Sequence, residues 1–233
     1  MSEVQYSSEM TVKLIRSMAA DDYVVQAAQV SSKGENNPET VPERLIRALM
    51  AGGHGSPFEH NSFTFFVEVP LFVMREWQRH RIGSFNEMSG RYTELLPKFY
   101  MPNEDRKLVN VGTKMKPEFT DGASGFMPFV TYARISEADE VAWNSYQAML
   151  RHGIANEVAR MALPLNTYSQ MYWTVNARSL MNFISLRVGS DESVVRSYPQ
   201  YEIDVAARKV EAAFAEKMPL THAAFVAGGR MAP

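Results

Sequence analysis

Residues 63–77 constrain the fold most. Phe63, Phe65, Val67 and Val69 alternate with Thr64, Phe66 and Glu68, the period-two pattern of a strand whose two faces are both at least partly covered. Pro70 closes that strand and suits the first turn of a helix running from Leu71 to Trp77. Helical patterns surround this unit. TVPERLIRALMAGG pairs Thr40 with Glu43 as a capping box, places Leu45, Ile46, Leu49 and Met50 at helical spacing and stops at Gly52 and Gly53. Ser136 and Asp139 open a helix that carries Val141, Tyr146, Met149 and Leu150 and stops near Gly153. IANEVARMALP is a second, shorter one ending before Pro164. NARSLMNFISLRV and YEIDVAARKVEAAFAEKM are helical by spacing, the latter amphipathic and ending before Pro219. Residues 98–135, rich in Pro, Gly, Asn, Asp and Lys, read as an excursion over the surface. The fold class expected is α+β, in a single domain spanning 1–233, with no repeat and no linker composition.

A chain of 233 residues buries roughly 70% of the surface that its unfolded form exposes, enough for a core without staples. Its net charge of -2 gives no reason to expect a nucleic-acid or membrane-surface binder. The longest apolar run, FTFFVEVPLFVM, is too short to span a bilayer and is interrupted by Glu68 and Pro70, while MSEVQYSSEM carries acid. The expectation is a soluble, cytoplasmic protein. With no cysteine, the chain has no disulfide, no thiolate metal site and no thiol nucleophile.

Against that balance, REWQRHRIGSFNEMSGRYTE concentrates Arg75, Arg79, Arg81 and Arg91 with His80, Ser84, Asn86 and Ser89, around the flexible Gly83 and Gly90. It starts on a helix end and continues as a loop. A second local surplus, Arg151, Arg160, Arg178 and Arg187, meets the single acid Glu157. Guanidinium presents a planar fork of donors that stays charged and matches phosphate or carboxylate oxygens two at a time. A small bound anion is the first reading of both patches. The competing reading is ordinary ion pairing with Glu76, Glu87, Glu157 and other acids.

Other chemistries are weaker. Ser89 lacks a sequence-local base with an orienting third group, so a nucleophilic role is disfavoured. His54, Glu59 and His60 lie on a Gly/Pro turn without metal-ligand spacing, and no metal is expected. Gly53-His54-Gly55 begins like a dinucleotide fingerprint, but Phe58 stands at its third glycine and a helix, not a strand, precedes it. Tyr168, Tyr172 and Trp173 read as core or subunit interface.

RHRIGSFNEMSGRY resembles the signature of the flavin-dependent thymidylate synthases: Arg-His-Arg, seven residues, then Ser, here Arg79, His80, Arg81 and Ser89. The resemblance continues through AAQVSS, GGHGSPFEHNSFTF, EVARMALPLNTYSQMYWTVNARSLMNFISLR and YEIDVAARKV, from about Lys13 to about Phe225. It implies a homotetramer of mixed α/β protomers, each with a central mixed or antiparallel sheet flanked by helices and a non-Rossmann flavin site. Four active sites would lie at subunit junctions, each binding FAD. The implied reaction converts dUMP to dTMP, with carbon from 5,10-methylenetetrahydrofolate and reducing equivalents from NADPH through the flavin, which needs no enzyme cysteine.

By the same resemblance Arg79, His80 and Arg81 contact the flavin, and Ser31, Ser56, Glu59, Asn176, Arg178 and Asn182 complete its site. The nucleotide falls to Glu76, Gln78, Arg79, Glu87, Met88, Ser89 and Gly90, with Arg91 and Arg160 on its phosphate. Arg187 matches the arginine that stabilises charge on the N3 and O2 side of uracil, and His54 a histidine beside the nucleotide and folate. Gln29 replaces a common arginine, Glu76 replaces a glutamine, and Asp191 stands where a histidine occurs, followed by the longer connection VGSDESVVRSYPQY. Nucleic-acid and membrane partners are not expected. The alternative is a non-catalytic nucleotide- or RNA-binding protein built on the same arginine loops, with salt-sensitive binding and no flavin.

Overall fold

The computed structural model describes residues 3–33, 41–123 and 125–233. From the N-terminus, strands β1 (Gln5–Ser7) and β2 (Thr11–Met18) precede helices α1 (Asp21–Lys33) and α2 (Pro42–Ala51). A 3-10 turn at Ser56–His60 leads into β3 (Ser62–Pro70) and α3 (Leu71–Trp77). Short strands β4 (Ser84–Glu87), β5 (Lys98–Tyr100), β6 (Val109–Asn110) and β7 (Phe119–Thr120) precede the long α4 (Phe126–Arg151). Then come α5 (Asn156–Ala159), β8 (Tyr168–Val175), α6 (Ala177–Arg187), α7 (Tyr201–Lys217) and α8 (Pro219–Ala227). The fold class is α+β, with parallel pairing of β1 on β5 and antiparallel pairing of β6 on β7. No helix among the described residues is long and apolar enough to cross a membrane.

The chain divides into two compact units. The first is Met1–Met10, Glu68–Arg75 and Glu87–Gln170; the second is Thr11–Val67, Glu76–Asn86 and Met171–Pro233. In the first, Phe99, Trp143, Tyr146 and Ala159 form a buried cluster under Val4, Leu95, Met149, Leu150 and Leu163. The second holds most of a four-stranded sheet in the order β2-β3-β8-β4. There α7 packs on β2 and α6, and α8 packs on α2 and α7. The alternation of β3 is real: Phe63, Phe65, Val67 and Val69 are fully buried.

Several expectations are corrected. The helix expected from Ser136 begins ten residues earlier, at Phe126, behind Gly125 at φ 77°. Pro128 is tolerated there because it falls in the first turn, where its missing N–H removes no helical hydrogen bond. The last part of residues 98–135 is therefore helix, not surface loop. The expected cap of α2, Thr40, lies outside the described residues; Val41 occupies the N-cap and Pro42 the first helical position. Part of the arginine-rich loop is strand β4, and β8 runs through the aromatic segment expected in the core or a subunit interface. Within that segment Tyr168 and Trp173 are buried, whereas Tyr172 is half exposed.

Asp139 is not a helix-opening acid but a buried residue in mid-helix, 2.9 Å from the Asn166 Nδ2 that donates to it. Burial raises its pKa to about 6, the Asn166 hydrogen bond offsetting only part of the effect. A carboxyl group whose folded pKa lies above its unfolded value takes up protons on folding, so its charge costs stability progressively as pH rises from about 4 to 6. Asp139→Asn is expected to gain about 2 kcal/mol more, relative to the parent chain, at pH 8 than at pH 4. Urea titrations at the two pH values measure it; equal effects at both would contradict the assignment.

Candidate functional site

The second unit contains a cleft of about 860 Å³, within the range of cofactor sites. Its cationic wall starts where α3 ends. Trp77, fully buried, packs at 4.7 Å centroid distance against Phe183 and edge-on at 5.3 Å against Trp173, pinning the helix end. The chain then turns, exposing Arg79 and Arg81, before passing Gly83 close over the Trp173 indole: a Cβ at Gly83 would sit 2.9 Å from Nε1 of Trp173 and 3.0 Å from the carbonyl of Thr174. The opposite wall is α6. Asn176 caps it, its side-chain oxygen accepting from the Ser179 N–H at 2.8 Å, and Arg178, Ser179, Asn182, Leu186 and Arg187 face the cleft.

The charges in this cleft are unequally compensated. Arg187 donates from Nε to His80 Nε2 at 3.0 Å, from NH1 to Glu76 Oε2 at 3.1 Å and from NH2 to the Glu76 carbonyl at 3.4 Å. Arg178 donates to Glu59 and to the Pro233 carbonyl, both at 2.6 Å. Gly55 permits this crowding, since any Cβ there would run into the Arg178 guanidinium. Arg79 and Arg81 have no carboxylate partner among the described residues. Burial, then the positive charges of Arg187 and Arg79, push the His80 pKa down to about 4. The imidazole is thus neutral at physiological pH, protonated on Nδ1, with Nε2 free to accept from Arg187. Burial also raises the pKa of Glu76, which Arg187 partly opposes.

Of the nine residues expected around the flavin, Glu59, Arg79, His80, Arg81, Asn176, Arg178 and Asn182 line this one cleft. Ser31 is exposed on α1, its hydroxyl bonded to the Ala28 carbonyl, and Ser56 opens the 3-10 turn; neither lines it. His54 is exposed after α2, its N–H bonded to the Leu49 carbonyl, and Gln78 is exposed in the turn after α3. Asp191 is exposed and pairs with Arg196, and the connection 188–200 carries no regular structure. Pro233 and Ala232, which line the cleft, were not anticipated; an Ala-Pro pair outside any motif carries no sequence signal.

The remaining nucleotide candidates belong to the first unit. Glu87 accepts from the Ser169 hydroxyl at 2.7 Å. The Met88 N–H donates to the Gln170 carbonyl, and the Ser89 hydroxyl accepts from the Arg91 N–H at 3.3 Å. Gly90 is buried against Leu95. Arg91 pairs with Glu157 at 3.0 Å, each half exposed, and Arg160 is exposed on the turn after α5. Ion pairing is present at some of these arginines: Arg91, Arg178 and Arg187 pair with acids, whereas Arg79 and Arg81 form no ion pair among the described residues.

Fold and site together define an α+β protein with an arginine-walled, non-Rossmann cleft suited to a phosphorylated cofactor or nucleotide. A flavin-dependent thymidylate synthase of Streptomyces coelicolor is 49% identical to the chain, over 99% of it and 96% of the relative. One from Tropheryma whipplei is 47% identical over 98% and 97%. The crystal structure of a UMP/dUMP methylase, PolB from Streptomyces cacaoi, bound with 5-Br UMP, superposes with a TM-score of 0.92 at 43% identity, covering 99% of both chains. The family model of the thymidylate synthase complementing proteins matches residues 13–220. The chain belongs to this family, the flavin-dependent thymidylate synthases.

Proposed function

We propose that the chain catalyses the reductive methylation of dUMP to dTMP, with 5,10-methylenetetrahydrofolate as carbon donor and NADPH as reductant through FAD. The observation that carries this reading is the cleft, in which seven expected flavin residues converge around Arg187. The residues fit the cofactor: two exposed guanidinium groups without an ion pair among the described residues, Arg79 and Arg81, suit a pyrophosphate, and Arg178, Asn176 and Asn182 add hydrogen-bonding groups along α6. FAD, when bound, supplies the electrons for the reduction. The chain's own residues bind and polarise. Arg187 stabilises negative charge on the N3 and O2 side of the uracil, making its C5 a better nucleophile. No cysteine takes part, because the chain has none.

Arg91 and Arg160 are assigned to the nucleotide phosphate. An exposed ion pair is worth at most about 1 kcal/mol, so Arg91 exchanges Glu157 for a phosphate at little cost. The reading includes a cytoplasmic homotetramer with sites at subunit junctions, where each site draws residues from more than one chain. His54, Ser31 and Ser56, which do not line the cleft, are assigned to such a completed site. Likeness to the Streptomyces cacaoi UMP/dUMP methylase favours UMP as a second acceptor.

The test is turnover. Purified protein supplied with FAD, methylenetetrahydrofolate and NADPH is given dUMP or UMP, and products are separated by chromatography. Formation of dTMP in step with NADPH oxidation is expected. Methylation of UMP alone would move the assignment to the ribonucleotide, and no methylated product with either would sink it.

A further inference from the structure

The three donor contacts of Arg187 all come from one short stretch of chain. Glu76 lies in the last turn of α3 and His80 four residues on, in the turn that follows. The Glu76 carbonyl lies in the last turn of the helix, where a cation is favoured by the local dipole, and it also accepts from the Arg79 N–H at 3.4 Å. Both sides of the contact share one anchor. Phe183, one helical turn before Arg187 on α6, packs against Trp77 at 4.7 Å and edge-on against His80 at 4.9 Å. Guanidinium carries five N–H donors in a fixed fork. One from each of its three nitrogens is occupied by Glu76 and His80, which leaves one N–H on NH1 and one on NH2 for a ligand.

Resting on the proposed reaction, we infer that Glu76 is a positioning residue. Its carboxylate and backbone carbonyl, with the His80 ring, hold Arg187 so that its two remaining donors meet a planar ligand with adjacent acceptors. A free arginine side chain loses considerable rotamer entropy when a ligand fixes it; here the fold has already fixed it. The pairing also sets selectivity within the cleft. Arg79 and Arg81 form no ion pair with a carboxylate among the described residues, whereas the Glu76 carboxylate pairs with Arg187 and also feels the Arg79 charge. A phosphate group therefore gains less from Arg187 than from Arg79 or Arg81.

The test is a double-mutant cycle on dUMP affinity, read by calorimetry on the FAD-loaded protein, with turnover measured alongside. Glu76→Ala is expected to weaken dUMP binding about tenfold when Arg187 is present and less than about twofold in Arg187→Ala. Glu76→Gln, which keeps an acceptor oxygen, should recover most of kcat and serves as the informative variant if Glu76→Ala folds poorly. Equal losses in both backgrounds would mean that Glu76 touches the nucleotide itself and would overturn the positioning role. So would a Glu76→Gln variant as impaired as Glu76→Ala. If the parent chain binds dUMP but forms no methylated product, the proposed reaction fails while the cycle remains readable.

Discussion

Arg187→Ala is expected to lower dTMP formation by at least about a hundredfold while FAD stays bound, the scale found when one preorganised donor to a developing anion is removed. The reason lies in position as well as charge. Arg187 is partly buried and held by Glu76 and His80, so water replacing it would supply neither a fixed donor pair nor a fixed positive charge. Lysine should not rescue. A single ammonium with three donors and no planar fork cannot meet His80, the Glu76 carboxylate and a uracil edge together. The variant should remain folded, with some loss of stability from leaving the Glu76 carboxylate unpaired, and burial already favours its protonated form. Steady-state turnover with flavin content measured on the same sample decides it. Full activity in Arg187→Ala would defeat the catalytic role.

Trp173→Ala should have the largest effect on folding, about 3–5 kcal/mol. The indole is fully buried, stacks on Phe65 at 5.7 Å, and meets Phe183 at 4.9 Å and Trp77 edge-on at 5.3 Å. Truncation empties the centre of that cluster, and the same rings hold the end of α3 and the face of α6 that form the cleft. Weakened FAD binding should therefore accompany the lost stability. Trp173→Phe, which keeps a ring against Phe65, should cost markedly less. Denaturant midpoints for the two variants are the measurement; a Trp173→Ala cost below about 1 kcal/mol would show that the cluster does not carry the fold.

What was legible in the sequence was local. The strand at 62–70 and the helix after it show in the alternation of Phe and Val and in the placement of Pro70. The Arg79-His80-Arg81 run announces a cationic site because three ionisable side chains in a row on a loop have no role in a core. Strand β8 carries a signal that is easily missed: Ser169, Met171, Trp173 and Val175 are its buried alternate residues, but Ser169 and the neighbouring aromatics disguise the period. Strand β2 offers less, since Ile15 and Met18 are exposed and its pattern follows no buried face.

The polar partners were out of reach because they are distant in sequence. Asp21 caps α8, accepting from the Leu220 and Thr221 N–H groups at 2.9 Å, two hundred residues away. Glu211 accepts from His222 and Arg230; burial would raise its pKa, but those bonds outweigh it and bring it to about 2. For the same reason the sequence showed Arg178 and Arg187 as surplus charge, while the fold pairs them with Glu59 and Glu76.

The central claim is that one arginine-walled cleft serves a flavin and a uracil nucleotide together. The visible absorption spectrum of the purified protein, loaded with FAD and recorded before and after addition of dUMP, tests it most directly. A bound-flavin spectrum that dUMP perturbs saturably is expected. A protein that takes up no FAD, or a flavin spectrum that dUMP leaves unchanged at any concentration, would contradict it.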